Sequence, residues 1–438
     1  MHKDEYHKNQ ITSILESESF EAAFSAYGLK RQDSKDIVLK QEAVLCCVAV
    51  RNEILRLPYF LEYYRQQGVD KFFIVDNSST DATNAYLTAQ PDVYTWSSLY
   101  PFSKANFGSA WFEILLQRYG IGHWVLIVDA DELFYFPECE QKTLPQLCGE
   151  LDRKNMMAYP AILLDMYGDT PIQETYYRSG DRFLDACPYF DRRFYHTEAP
   201  WGKTKEQIGY WGGVRRRVFG GSPWDYCLNK MPLIRYEKNC ILSGGQHGTS
   251  YSRDRIFTAR GCLLHFKFFD SFSNYATEEA IRQEHAGQAQ EYNLYTEKLS
   301  SQPNLTLYHP EHSVRFQNSQ QLLELGIMQT ETAPKQQSTT SQHPLLKTKQ
   351  VTVYVKMAEA WLVKNQLEKG LAYYHKIIEL DPLFVPAYLR LAYLLEESDR
   401  LEEALEYLNR AINLAPSDDN LQTMARQLQA KIIVSQSE

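Results

Sequence analysis

Three short apolar runs, residues 44–50 (VLCCVAV), 72–75 (FFIV) and 124–128 (WVLIV), constrain this chain more than any other feature. None alternates apolar with polar residues, so none suits a sheet with one wet face. Each reads as a strand buried on both sides, the pattern of a mostly parallel sheet covered by helices. Helical patterns lie between them, LPYFLEYYRQQG closing at Gly68 and ANFGSAWFEILLQRYG closing at Gly120, each with glycine where a helix would stop. The alternation of strand and helix predicts an α/β fold.

Each run then ends in a polar cluster: Arg51-Asn52-Glu53, Asp76-Asn77-Ser78-Ser79, and Asp129-Ala130-Asp131-Glu132. Ligands of open parallel sheets bind beyond the carboxyl ends of the strands, so the three clusters are expected to share one crevice. In an extended chain, residues two apart face the same way, which would aim Asp129 and Asp131 at one point. Two carboxylates that close repel unless a cation lies between them, and oxygen ligands select Mg²⁺ or Mn²⁺. An isolated Asp-x-Asp-Glu reads as a helix cap or solvated loop. The buried strand before it and the two companion clusters favour a metal site.

The chain has 438 residues, too many for one ordinary domain, and its 44% hydrophobic and 13% aromatic content suffices for more than one core. The predicted organisation is an N-terminal helical extension over 1–42, an α/β domain over 43–329, a linker over 330–350, and helical repeats over 351–438. In the extension, Ile11, Ile14, Leu15 and Phe20 are spaced for one face of a helix over 10–27. The linker, TETAPKQQSTTSQHPLLKTKQ, is polar and short of large residues. Beyond it Pro382 and Pro416 stand 34 residues apart, and in the same register Ala358 matches Ala392, Gly370 matches Ala404 and Tyr374 matches Leu408. A 34-residue period with small residues at helix crossings resembles the tetratricopeptide repeat, and the residues from Asn420 to Val434 would form its capping helix. Such repeats imply a protein partner or self-association.

A net charge of −9 leaves no electrostatic footprint for nucleic acid. There is no signal-peptide pattern and no run of about 18 apolar residues, so no membrane span is expected. Eight cysteines without a Cys-x-x-Cys pair read as buried thiols in a reducing, cytoplasmic compartment.

The ordered set CCVAVRNEILRLPYFLEYYRQQGVDKFFIVDNSSTDAT, HWVLIVDADELF, LLDMYGD, PYFDRRF, WGGVRRRVFG, LNKMPLIRY and GCLLHFKFF resembles the family 2 glycosyltransferases, in the subgroup close to the family 92 enzymes. The resemblance covers residues 43–325. It implies an A-type nucleotide-sugar fold and metal-dependent, inverting transfer of a sugar from a nucleotide-sugar donor to a glycan or lipid-linked hydroxyl. Asp76 would accept hydrogen bonds from the donor's base or ribose, near Arg51, Asn52, Glu53 and Asn77; it also suits an Asx turn. Asp129 would face the ribose or the metal's water shell, and Asp131 would ligate Mn²⁺ or Mg²⁺ directly. A ligating histidine is implied downstream: His265, which shares a strand face with Lys267, comes first and His247 second. Lys230 and Arg216 would contact the diphosphate. The base that takes the acceptor proton would be Asp191, with Asp225 and Asp165 as alternatives. Trp201, Trp211 and Trp224 could offer sugar-stacking surfaces or serve as core.

Two other classes fit parts of the pattern. A nucleotidyltransferase shares the sheet and the acidic site but usually carries a glycine-rich phosphate loop, and VAVRNEILRLP has no glycine. A non-catalytic scaffold, with the repeats as its working part, would tolerate degenerate acidic clusters, whereas these are complete.

Overall fold

The structure, a computed structural model, describes residues 2–17, 19–192, 195–201, 207–220, 225–331, 344–362, 366–382, 384–414 and 419–435. The chain forms two compact units, Met1–Thr197 with Gly202–Ala333, and Pro334–Glu438 with Glu198–Trp201.

The strands of the chain are β1 (Lys30–Arg31), β2 (Val44–Val50), β3 (Lys71–Asp76), β4 (Val93–Ser97), β5 (Trp124–Ile127), β6 (Glu132–Tyr135), β7 (Ala158–Tyr167), β8 (Tyr189–Asp191), β9 (Tyr195–Trp201), β10 (Gln207–Gly212), β11 (Asn229–Arg235), β12 (Gly261–His265) and β13 (Ser313–Arg315), and all but the end of β9 belong to the first unit. The main sheet runs β1-β4-β3-β2-β5-β11-β7-β12-β6, with β8 and β13 attached beside β7. Pairing is parallel from β4 through β3 and β2 to β5. Then β11 enters antiparallel to both β5 and β7, and β6 pairs antiparallel with β12. β7 and β12 pair in parallel, whereas β1 pairs antiparallel with β4, so the sheet is mixed, and the expected parallel pairing is found from β4 to β5 and between β7 and β12.

The absence of alternation in the apolar runs has a direct cause. Val44, Cys46, Val48 and Val50 join one core with Phe72, Ile74, Trp124 and Leu126. Leu45, Cys47, Phe73, Val75, Val125 and Ile127 enter a second core on the opposite face. Helix Leu57–Gln66 covers the first face and helix Ser109–Tyr119 the second. Each fully buried large side chain contributes about 1.5–3 kcal/mol, so both faces must be covered for the strands to form.

The single N-terminal helix expected over 10–27 is two helices, His2–Ser17 and Phe20–Ala26. Ser19 separates them by capping the second, its side chain accepting from the Ala22 amide at 3.2 Å. Ile11, Ala23 and Tyr27 are buried in the core of the second face.

The second unit holds helices Pro344–Leu362, Leu367–Leu380, Val385–Glu397, Leu401–Leu414 and Asp419–Ser435. Ala358, Ala392, Ala404, Tyr374 and Leu408, the residues of the 34-residue register, are buried in its core. A Cβ on Gly370 would come within 2.6 Å of the Leu362 side chain, so a larger residue there would require Leu362 to shift. The first of these helices starts at Pro344, inside the stretch read as linker, and residues 332–343 lie outside the described residues. Among the described residues no helix is long and apolar enough to cross a membrane.

Candidate active site

Because β2, β3 and β5 are parallel, their polar ends emerge at one edge. A cleft of about 530 Å³ opens there. Arg51, Glu53, Asn77, Asp129, Asp131, Glu132, Asp225, Lys230, His247 and His265 all line it. Asp76 and Asn52 do not; they hold the loops beside it. The Asp76 carboxylate accepts from the Ser79 amide at 2.9 Å, the Asx turn that its sequence allowed. The Asn52 side-chain oxygen accepts from the Thr80 amide at 2.7 Å, tying the first cluster to the second.

The acidic run is a turn rather than an extended segment. The Glu132 amide donates to the Asp129 carbonyl at 3.0 Å, and the Glu132 carboxylate accepts from the Asp129 amide at 3.0 Å. Tyr64 anchors the start of β6, donating to the Glu132 carbonyl at 2.9 Å and accepting from the Phe134 amide at 3.0 Å. The turn sends its carboxylates apart. Asp129 and Glu132 face the Lys230 ammonium at 3.5 and 3.0 Å. Asp131 faces His265 Nε2 at 3.3 Å.

His265 sits between two acids, since its Nδ1 lies 2.6 Å from Asp165 Oδ1. Burial disfavours its charged form, but Asp131 and Asp165 outweigh burial and raise its pKa to about 9. The same contacts reverse the effect of burial on Asp131 and hold it well below the usual carboxylate range. Asp165 is tied in turn to Arg215 Nε at 2.8 Å, and Arg215 Nη1 reaches Glu291 at 3.2 Å. Glu53 shows the opposite behaviour: burial, with Asp131 and Asp129 nearby, pushes it up to about 7 in spite of Arg56 at 3.1 Å.

The donor chemistry fits a divalent cation. Asp129 and Asp131 offer hard oxygens, and His265 has its Nδ1 committed to a carboxylate, which leaves Nε2 as the nitrogen for ligation. The fit requires rearrangement, because Asp129, Asp131 and His265 do not gather their ligand atoms within 4.8 Å of one another. The Asp129 side chain, 59% exposed, is free to turn away from Lys230. His247 also lines the cleft, with its Nδ1 2.7 Å from the Asn229 carbonyl, and burial with Lys230 nearby depresses it to about 4.

Of the three base candidates, Asp225 alone lines the cleft. Asp191 is buried away from it, held by Arg217 Nε at 2.7 Å and by the Tyr167 hydroxyl, because β8 carries it into the junction with β7 and β13. Asp165 is buried behind His265. Arg216 does not line the cleft; the neighbouring Arg215 does. Trp211 is buried, and the Trp201 and Trp224 side chains lie outside the described residues.

Sequence reasoning missed the opposite wall, formed by Glu279, Arg282, His285 and Glu291 from residues 272–301. Glu279 lies 3.3 Å from Arg51 and 3.0 Å from His285, and Arg282 donates to Asn77. No motif marks this region; its only signal is a buried glutamate in a helix, which becomes informative once Arg51 is seen beside it.

Residues 362–432 match the tetratricopeptide repeat family model. Over 100 residues, 22% of this chain, the sequence is 29% identical to a family 92 glycosyltransferase of Ricinus communis. That match spans 18% of the relative's length. Among solved structures, the C-terminal tetratricopeptide-containing domain of a Plasmodium falciparum protein described as FK506-binding aligns at 16% identity, covering 38% of this chain and 89% of that one with a TM-score of 0.19.

Proposed function

We propose that the first unit is an A-type glycosyltransferase that moves a sugar, with inversion, from a nucleotide-sugar to a hydroxyl of a glycan or lipid-linked acceptor, and that the repeats recruit a protein partner. One observation carries this reading: the polar ends of three parallel strands converge with His265 and Lys230 on a single cleft large enough for a nucleotide-sugar. The partial similarity to a family 92 enzyme supports it.

In this reading Asp129, Asp131 and His265 would hold Mn²⁺ or Mg²⁺, which would supply positive charge to offset that of a diphosphate. Asp165 keeps His265 oriented, and Lys230 supplies a fixed positive charge beside the diphosphate. Arg51, Asn77 and Glu53 border the donor, with Asp76 and Asn52 shaping the loops that present them. Asp225 takes the proton from the acceptor hydroxyl, since a base must reach the cleft and Asp191 and Asp165 are both locked in buried bonds. All eight cysteines are unpaired, in keeping with a cytoplasmic setting.

The test is calorimetric titration of UDP, GDP and dTDP with and without Mn²⁺, on the native chain and on Asp131→Asn. The expected result is metal-dependent binding of one nucleotide, weakened at least about a hundredfold by the substitution. No binding of any nucleotide by the folded protein would move the weight to a non-catalytic scaffold.

A further inference from the structure

A second cluster of metal-type ligands lies outside the cleft. His309, Glu311 and His312 each present a ligand atom, and the three atoms lie within 4.8 Å of one another. The two imidazole rings stack with centroids 4.5 Å apart and planes 28° from parallel. Glu311 is exposed and both histidines are half-buried.

The backbone that carries them is fixed before any ligand arrives. The amides of His312 and Ser313 both donate to the His309 carbonyl, at 3.0 and 2.8 Å, closing a tight turn around Pro310. The His309 amide donates to Ser313 Oγ at 2.8 Å, and that hydroxyl meets the Tyr167 hydroxyl at 2.9 Å. The His312 carbonyl accepts from the Arg192 amide at 3.0 Å, and Ser313 opens β13, opposite Asp191 on β8. His309 Nδ1 accepts from the Glu311 amide at 3.3 Å, which leaves its Nε2 outward. A preformed backbone removes much of the ordering cost of binding.

We propose that His309, Glu311 and His312 form a zinc-type cation site that cross-links the turn before β13 and stiffens it. Two imidazoles and one carboxylate suit zinc and its late first-row neighbours, whereas the carboxylate-rich cleft suits Mg²⁺ or Mn²⁺. Ligand bonds of about 2.0–2.2 Å around a tetrahedral ion place donors roughly 3.4 Å apart, so closure needs only side-chain rotation. A water would complete the ion's shell.

The test is a titration of the full chain carrying Asp131→Asn, which silences the cleft, with ZnCl₂ and separately with MgCl₂. One zinc per chain and no magnesium are expected. Adding His309→Gln and His312→Gln should weaken zinc at least about a hundredfold. Zinc binding unchanged in that variant, or none in its parent, overturns the proposal. Melting curves without metal show whether the variant still folds. If it melts lower, Cu²⁺ bound to the parent decides by its nitrogen hyperfine pattern: two imidazole nitrogens support the site, and none overturns it. The outcome does not depend on whether the cleft transfers sugars.

Discussion

At the scale of single residues, two aspartates with the same chemistry are separated by their surroundings. Asp225→Asn is expected to lower transfer by about a hundredfold to ten-thousandfold while leaving nucleotide binding intact, as steady-state kinetics alongside calorimetry would show. Asp191→Asn should act on stability instead. It strips the charge from a buried partner of Arg217 and should cost about 3 kcal/mol in denaturant unfolding. Glu291 gives a pH signature. Burial opposes its charge, but Lys267 and Arg215 pull its pKa from 4.5 to about 2. A depressed acid stabilises the fold fully above its unfolded pKa and loses that contribution as pH falls through its folded one. Acid titration of the native chain should therefore show stability falling between about pH 4.5 and 2. In Glu291→Gln that part of the slope should vanish. Asp129, Asp131 and His265 were all visible as candidates in the sequence. The Asp165–His265 pair was not, because 100 residues separate its members and no spacing rule links them.

At the scale of elements, the N-terminal helix His2–Ser17 reaches the cleft through charge. Lys8 meets Glu113 at 2.7 Å, and Glu113 accepts from the Leu242 amide at 3.0 Å. Asp4 accepts from the Gly244 amide at 3.0 Å and from Asn106 at 2.7 Å. Gly244 through His247 line the cleft, so this helix braces one of its walls. Lys8→Met leaves Glu113 buried with neutral partners only, Tyr236 and the Leu242 amide. It should cost about 3 kcal/mol and speed amide exchange at Leu242, as hydrogen-exchange mass spectrometry would detect. Periodicity marked an apolar face on this segment but said nothing of Asp4 and Lys8, whose partners lie more than 100 residues away. Strands β2, β3 and β5 were legible at nearly their observed bounds because each is buried on both faces, whereas β4, VYTWS, was missed. Nothing in NKMPLIR shows that β11 enters antiparallel, since a buried strand looks the same in either direction.

At the scale of the whole molecule, the two units have separate cores. Leu391 is fully buried in the core of the repeats. Leu391→Ala should destabilise that unit by about 2–5 kcal/mol, seen as one shifted transition in calorimetry. Nucleotide affinity should stay within about twofold of the native value, because substitutions that share no partners add independently and the two units have separate cores.

By itself the sequence determined the α/β class, the repeat period, the two-sided strands and the acidic end of β5, because these follow from local periodicity and residue chemistry. Tertiary structure alone decided that Asp131 meets His265, that Lys230 lies between Asp129 and Glu132, that Asp225 rather than Asp191 faces the cleft, and that residues 272–301 supply its far wall. Those facts depend on which strands pair and in which direction, and pairing is fixed by long-range burial that no local window contains.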